Sequence, residues 1–139
     1  TADAVAVQLR DAGVRVRRRL VTAPDYWARW TRWPFAATDW NMRPLGVQVL
    51  ALAYRSGAAW NETGFADPEF DALLDQALAL PDPDARRALM EEIERRLQDA
   101  AVIVQPYWRT LVRHAVAQAK GVGMHPMLEH HHDLWSLDA

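Results

Sequence analysis

Two helix starts spelled in nearly the same letters fix the middle of this chain. In ADPEFDALLDQALAL (66–80), Asp67 stands as N-cap, Pro68 at the first helical position and Glu69 in the first turn. The second, PDPDARRALMEEIERRLQDAA (81–101), repeats the order with Asp82, Pro83 and Asp84. The cap carboxylate satisfies an orphan backbone N–H, proline sits where no N–H is needed, and acidic groups face the positive end of the helix dipole. Phe70, Leu73, Leu74, Ala77 and Leu78 line one face of the first helix; Leu89, Ile93 and Leu97 line one face of the second. Glu91–Arg95 and Glu92–Arg96 form exposed i,i+4 pairs, each stabilising by about 0.2–0.5 kcal/mol. They read as a solvated face rather than a catalytic dyad.

Around this pair the pattern alternates between periods. Residues 2–12 carry Val5, Leu9 and Ala12 at helical spacing, with Gly13 as C-cap, and VRVRRRLV (14–21) then alternates as a strand. Its arginines read as a solvated strand face rather than a nucleic-acid surface. Pro24 opens a short helix through Tyr26, Trp27 and Trp30 that Pro34 stops. Residues 35–40 read as a strand, and 44–56 as a helix with Val47, Leu50, Ala51 and Tyr54 inward. Residues 102–109, 111–118 and 132–137 read as extended, with Gly121 and Gly123 as a turn. Helix–Gly–strand units of this kind predict an α/β fold in one unit, 1–139.

Composition narrows the function. The 16 basic and 18 acidic residues leave a net charge of −2, which gives no electrostatic footprint for nucleic acid. No cysteine is present, so neither disulfides nor thiolate metal sites are expected, as suits the cytosol and the bacterial periplasm alike. No apolar run approaches the roughly 20 residues of a membrane span. There is no GxSxG motif and no glycine-rich phosphate loop, so no catalytic residue is assigned and no cofactor is expected.

EHHHD (129–133) has metal-binding residue types, but three consecutive histidines cannot all point one way in a strand, so no metal site is assigned. A metal-dependent hydrolase built on Glu129 and His130–His132 remains the alternative from another class. A small interaction domain whose tryptophans fill a core is the third reading.

Seven tryptophans are the unusual figure. Trp27, Trp30 and Trp33, three apart on a short helix, read as buried wall. Trp40 and Trp60 differ: each precedes an asparagine (Asn41, Asn61) at a strand-to-loop junction, in DWNMRPLG (39–46) and SGAAWNETG (56–64). Ligands of α/β proteins sit beyond such strand ends. There an aromatic plane, an amide and the Arg43 guanidinium can grip a polar solute, the last by a bidentate fork on a carboxylate.

Taken in order, WNMRPLG from Trp40, SGAAWNETG, the DPEFD start at Asp67, and DARRALMEEI from Asp84 resemble the C-terminal part of ABC-transporter solute-binding proteins of family 5, the dipeptide/oligopeptide/nickel class. The opening helix–Gly–strand and the tail HHHDLWSL resemble the flanking parts of that family. The resemblance implies part of a type II periplasmic-binding-protein-like fold, the C-terminal part of lobe II plus the return toward lobe I, ending at the natural C-terminus. It implies a non-catalytic subunit that binds a peptide or similar small solute between lobes and delivers it to an ABC permease in the membrane. It also implies a monomeric full-length protein in the periplasm, its signal peptide upstream of residue 1. The expected ligand set is Trp40, Asn41, Arg43, Trp60 and Asn61. One departure stands out. Peptide binders of the family carry an aspartate three positions after the tryptophan, pairing with the peptide's amino terminus, where this chain has Arg43. A cation there repels an ammonium and calls for an anionic group.

Overall fold

A computed structural model describes residues 1–125 and 127–138; the end of the expected unit at Ala139 lies outside the described residues. Five α-helices carry the chain: α1 (Ala2–Asp11), α2 (Ala23–Trp27), α3 (Gly46–Ala53), α4 (Pro68–Ala79) and α5 (Pro83–Asp99). Short 3-10 turns follow α2 at Trp30–Arg32 and precede the C-terminus at His132–Leu134. Two strands, β1 (Ala119–Lys120) and β2 (Ser136–Leu137), pair antiparallel with Ala119 opposite Leu137.

The capping grammar is realised atom by atom. Asp67 accepts from the N–H groups of Glu69 (2.9 Å) and Phe70 (3.2 Å), and Asp82 from that of Ala85 (2.7 Å). Thr22, not singled out from the sequence, caps α2 by accepting from Asp25 N–H at 3.3 Å. Helix α1 closes in a Schellman motif: Gly13 at φ +85° lets its N–H reach Arg10 O and that of Val14 reach Leu9 O. Helix α5 ends by the same bonding, Ala101 N–H to Gln98 O and Val102 N–H to Leu97 O, with an alanine at φ +49° where glycine is usual. At the end of α4 no glycine helps. Instead Arg86, from the first turns of α5, donates to the carbonyls of Ala77 and Leu80.

Helices α4 and α5 form an αα-hairpin through residues 80–82, with α3 against α4. Val47, Leu50, Ala53, Tyr54, Phe70, Leu74, Ala77, Ile93 and Leu97 make one buried cluster, with Trp40, Phe65, Leu89 and Val102 packed on its rim. The Phe70 ring, fully buried, meets Phe65 edge-on at 5.2 Å. Burying a side chain of this size stabilises by roughly 1.5–3 kcal/mol, so these few residues supply most of the cohesion. Burial holds the Tyr54 phenol up at about 12, with the Glu62 carboxylate adding to the shift.

Several expected details are corrected. Leu78 is 43% exposed and leaves the expected inward face, on which Phe70, Leu74 and Ala77 are fully buried. Glu91–Arg95 forms at 3.0 Å, but Arg96 turns from Glu92 to Asp67 and Glu69. The segments 14–21, 35–40, 102–109 and 111–118 are not strands here, and the expected strand at 132–137 shrinks to Ser136–Leu137 behind a 3-10 turn. A ladder requires a neighbouring strand to take its N–H and C=O groups, and these segments have none among the described residues. Their alternating apolar side chains stand in solvent accordingly, Leu20 at 78%, Val112 at 71% and Trp108 at 87%. No helix among the described residues is long and apolar enough to cross a membrane.

Candidate functional site

The loops on either side of α3 meet over its flank. Residues 38–43 lead into α3 and residues 54–67 leave it, which brings Trp40 and Trp60 to a ring-centroid distance of 6.0 Å. The 3-10 turn after α2 adds Trp30, 6.0 Å from Trp40 and 6.4 Å from Trp60, and Trp27 stacks edge-on behind it at 5.9 Å. Around these rings lies a hollow of about 320 Å³ lined by Trp27, Trp30, Thr38, Asp39, Trp40, Asn41, Arg43 and Trp60. A larger shallow groove of about 430 Å³ runs along Arg10 at the end of α1 and residues 13–17 of the irregular segment after it, and holds no aromatic ring.

Each wall is fixed by a definable contact. The Trp40 indole N–H donates to Glu62 Oε1 at 2.8 Å, which orients the ring from its outer edge. Burial pushes the Glu62 carboxyl up from its ordinary range, and that indole hydrogen bond opposes the shift. Arg43 lays one guanidinium nitrogen against its own loop, Nη1 donating to the carbonyls of Asn41 (3.2 Å) and Met42 (3.0 Å). Among the described residues no carboxylate pairs with it. The other charge at the rim, Asp39, is taken by Arg109 at 3.0 Å. The hollow therefore offers flat aromatic walls and, at its edge, the Arg43 guanidinium, which among the described residues meets backbone carbonyls only.

Trp40, Asn41, Arg43 and Trp60, expected together from the sequence, do line one space. Asn61 is corrected. Its amide donates to the carbonyls of Arg55 (3.1 Å) and Phe65 (2.8 Å), and its oxygen accepts from Thr63 N–H and Oγ1. Every hydrogen-bonding position of the side chain is spent on the loop, none on the hollow. The signal was present in NETG: an Asx residue two before a threonine and three before Gly64, which takes φ +68°, is turn chemistry.

Trp27 and Trp30 are likewise corrected, since they face the hollow rather than a sealed core, Trp27 being 55% exposed. Spacing of three told that they share a face, which they do. Trp33 is the member that packs as wall, its indole N–H buried without a partner among the described residues and its ring beneath the guanidinium groups of Arg29 (4.8 Å) and Arg19 (5.7 Å).

The histidine run divides between two sides, although it is an irregular stretch entering a 3-10 turn and not a strand. His130 and His132 turn toward Trp135, with ring centroids at 6.1 and 4.4 Å. His131 turns the other way, its Nε2 3.4 Å from Glu129 Oε2, where it meets His125. The set His130–His132 therefore does not gather as the hydrolase alternative needs.

No family model matches the chain, and no solved structure matches it. The chain is similar to the dipeptide-binding protein DppE of Bacillus subtilis (strain 168), with 35% identity over 75 residues. That stretch is 54% of this chain and 14% of the relative, so the chain spans a small part of the protein it matches.

Proposed function

We propose that this chain is one jaw of a solute-binding subunit of an ABC importer, part of a type II periplasmic-binding-protein-like fold, and that it performs no catalysis. The observation that carries the reading is the convergence of Trp30, Trp40 and Trp60 around one hollow with Arg43, which has no carboxylate partner among the described residues. The partial likeness to a dipeptide-binding protein supports the same reading. The solute is a peptide or similar small molecule that presents a carboxylate or other anion to Arg43 and lays an apolar or amide portion across the indoles. Asn41 is the amide on this jaw that contributes to binding; Asn61 acts by holding the loop. A second lobe supplies the opposite wall, and the solute's preference for the closed arrangement drives closure. Periplasmic location and delivery to a membrane permease complete the role.

The test is a tryptophan-fluorescence titration with dipeptides and longer peptides, on the protein that carries this chain in its natural context. It compares wild type, Arg43→Ala and Trp60→Ala. Peptides with a free carboxylate are expected to bind, with affinity reduced more than about tenfold by Arg43→Ala, as befits a desolvated charge pair. Equal affinity of wild type and Arg43→Ala for every peptide that binds would overturn the assignment of Arg43. A signal that stays flat for all peptides would return the tryptophans to a packing role.

A further inference from the structure

We infer that His125, Glu129 and His131 form a binding site for a late first-row divalent cation such as Zn²⁺, separate from the tryptophan-lined hollow. One ligand atom from each of the three residues falls within 4.8 Å of the others. Glu129 Oε2 is the hub, 3.4 Å from His131 Nε2 and 3.8 Å from His125 Nδ1. Donors on one zinc, each about 2.0–2.1 Å from the ion at tetrahedral angles, stand about 3.3 Å apart, so a small closure of side chains brings this set to coordination geometry. Two imidazoles and one carboxylate favour zinc and its neighbours over calcium or magnesium, which take oxygen ligands. With three protein ligands the fourth position faces solvent, as the half-exposed side chains require.

Two further features fit the assignment. His125 Nδ1 accepts the N–H of Met127 at 3.2 Å, so this nitrogen carries no proton and its lone pair can turn from that hydrogen bond to a metal. Arg113 holds the frame, donating to the carbonyls of Val122 (3.2 Å), Gly123 (2.8 Å) and Glu129 (3.5 Å), so the backbone on both sides of His125 is tied to one guanidinium. His130 and His132 are excluded by orientation, since both rings lie toward Trp135.

The test is calorimetric titration of ZnSO₄ into the chain, purified without a histidine tag and stripped with chelator, beside Glu129→Gln, His131→Ala, His125→Ala and the double variant His130→Ala/His132→Ala. One zinc per chain is expected. Each of the three single variants is expected to weaken binding by more than about tenfold, at least the loss that follows removal of a supporting group around a metal site. The double variant is expected to keep the wild-type affinity. Substituting Co²⁺ gives a second readout, a tetrahedral ligand-field spectrum lost in His131→Ala and kept in the double variant. Absence of saturable binding, or affinity that follows His130 and His132 instead, would overturn the site. Circular dichroism of each variant separates loss of a ligand from loss of fold.

Discussion

Arg96, near the end of α5, reaches back to Asp67, the N-cap of α4, with Nε 3.2 Å from Oδ2. The same guanidinium also meets Glu69, so one side chain locks the far end of the hairpin to the first turn of its partner helix. Asp67 is thereby both a cap and an ion-pair partner. The backbone hydrogen bond from Phe70, then that from Glu69, then the charge of Arg96 hold its carboxyl below the ordinary range. A depressed acid contributes stability above its unfolded pKa and loses it as pH falls through the folded value. Asp67→Asn keeps an oxygen for capping but removes the charge. Chemical denaturation across the acid range is expected to show less stability for Asp67→Asn than wild type at neutral pH, with the two curves converging as pH falls. Asp67→Ala, which also loses the cap, is expected to be the least stable of the three.

Glu62 carries the opposite sign. Burial raises its carboxyl in the folded state, outweighing the Trp40 hydrogen bond, so the native state binds its proton more tightly than the unfolded chain does. Its contribution therefore falls as pH rises from the unfolded to the folded pKa. Glu62→Gln still offers an oxygen to the Trp40 indole and has no charge to desolvate. Denaturation at neutral pH is expected to find this variant at least as stable as wild type, with that part of the pH dependence gone. Glu62→Leu, which strands the indole N–H, is expected to lose about 1–3 kcal/mol.

Three positions share a positive φ and differ in what surrounds them. Gly121 takes φ +71°, and a Cβ built there would collide with the carbonyl oxygen of Leu134. Gly13 takes φ +85° with open space around its Cβ position. Ala101 already has the side chain at φ +49°. Gly13→Ala is expected to cost about 1–2 kcal/mol, the left-handed strain alone. Gly121→Ala is expected to cost more and to expose the amides of the β1–β2 pair to hydrogen exchange. Ala101→Gly is expected to be neutral or to gain up to about 1 kcal/mol, relief of strain offset by a freer unfolded chain. Urea unfolding of the three variants ranks them directly.

The legible parts of this fold are those whose causes are local. The caps at Asp67 and Asp82 and the faces of α4 and α5 could be read because partner and residue lie within one turn. The partner of Arg96 is not legible locally, because Glu92, four residues away, competes with Asp67 and Glu69, which only the hairpin brings near. The extended segments show the same limit from the other side. Alternation in VRVRRRLV states which side chains share a face, but a strand exists only when another strand is beside it. At the hollow, residue types announced Trp40 and Trp60. The direction in which Asn61 points, and the side of α2 that stays open, depend on loop closure across residues 54–67.

The Trp30–Trp40–Trp60 triangle has a signature independent of any ligand. Its three ring centroids lie 6.0–6.4 Å apart with planes inclined by 55–70°, an arrangement in which indole transition dipoles couple. Wild type is expected to show an exciton couplet in far-ultraviolet circular dichroism, reduced in Trp60→Ala and in Trp30→Ala, each of which keeps one or more of the close pairs, and unchanged in Trp108→Ala, whose ring is 87% exposed. Trp60 is 46% exposed, so its removal forfeits two aromatic pairs, about 0.5–1.5 kcal/mol each, rather than a core side chain. The fold is expected to survive, and the chain then reports on the hollow alone. A couplet unchanged in Trp60→Ala would mean that the rings do not meet in solution, and the jaw would lose its wall.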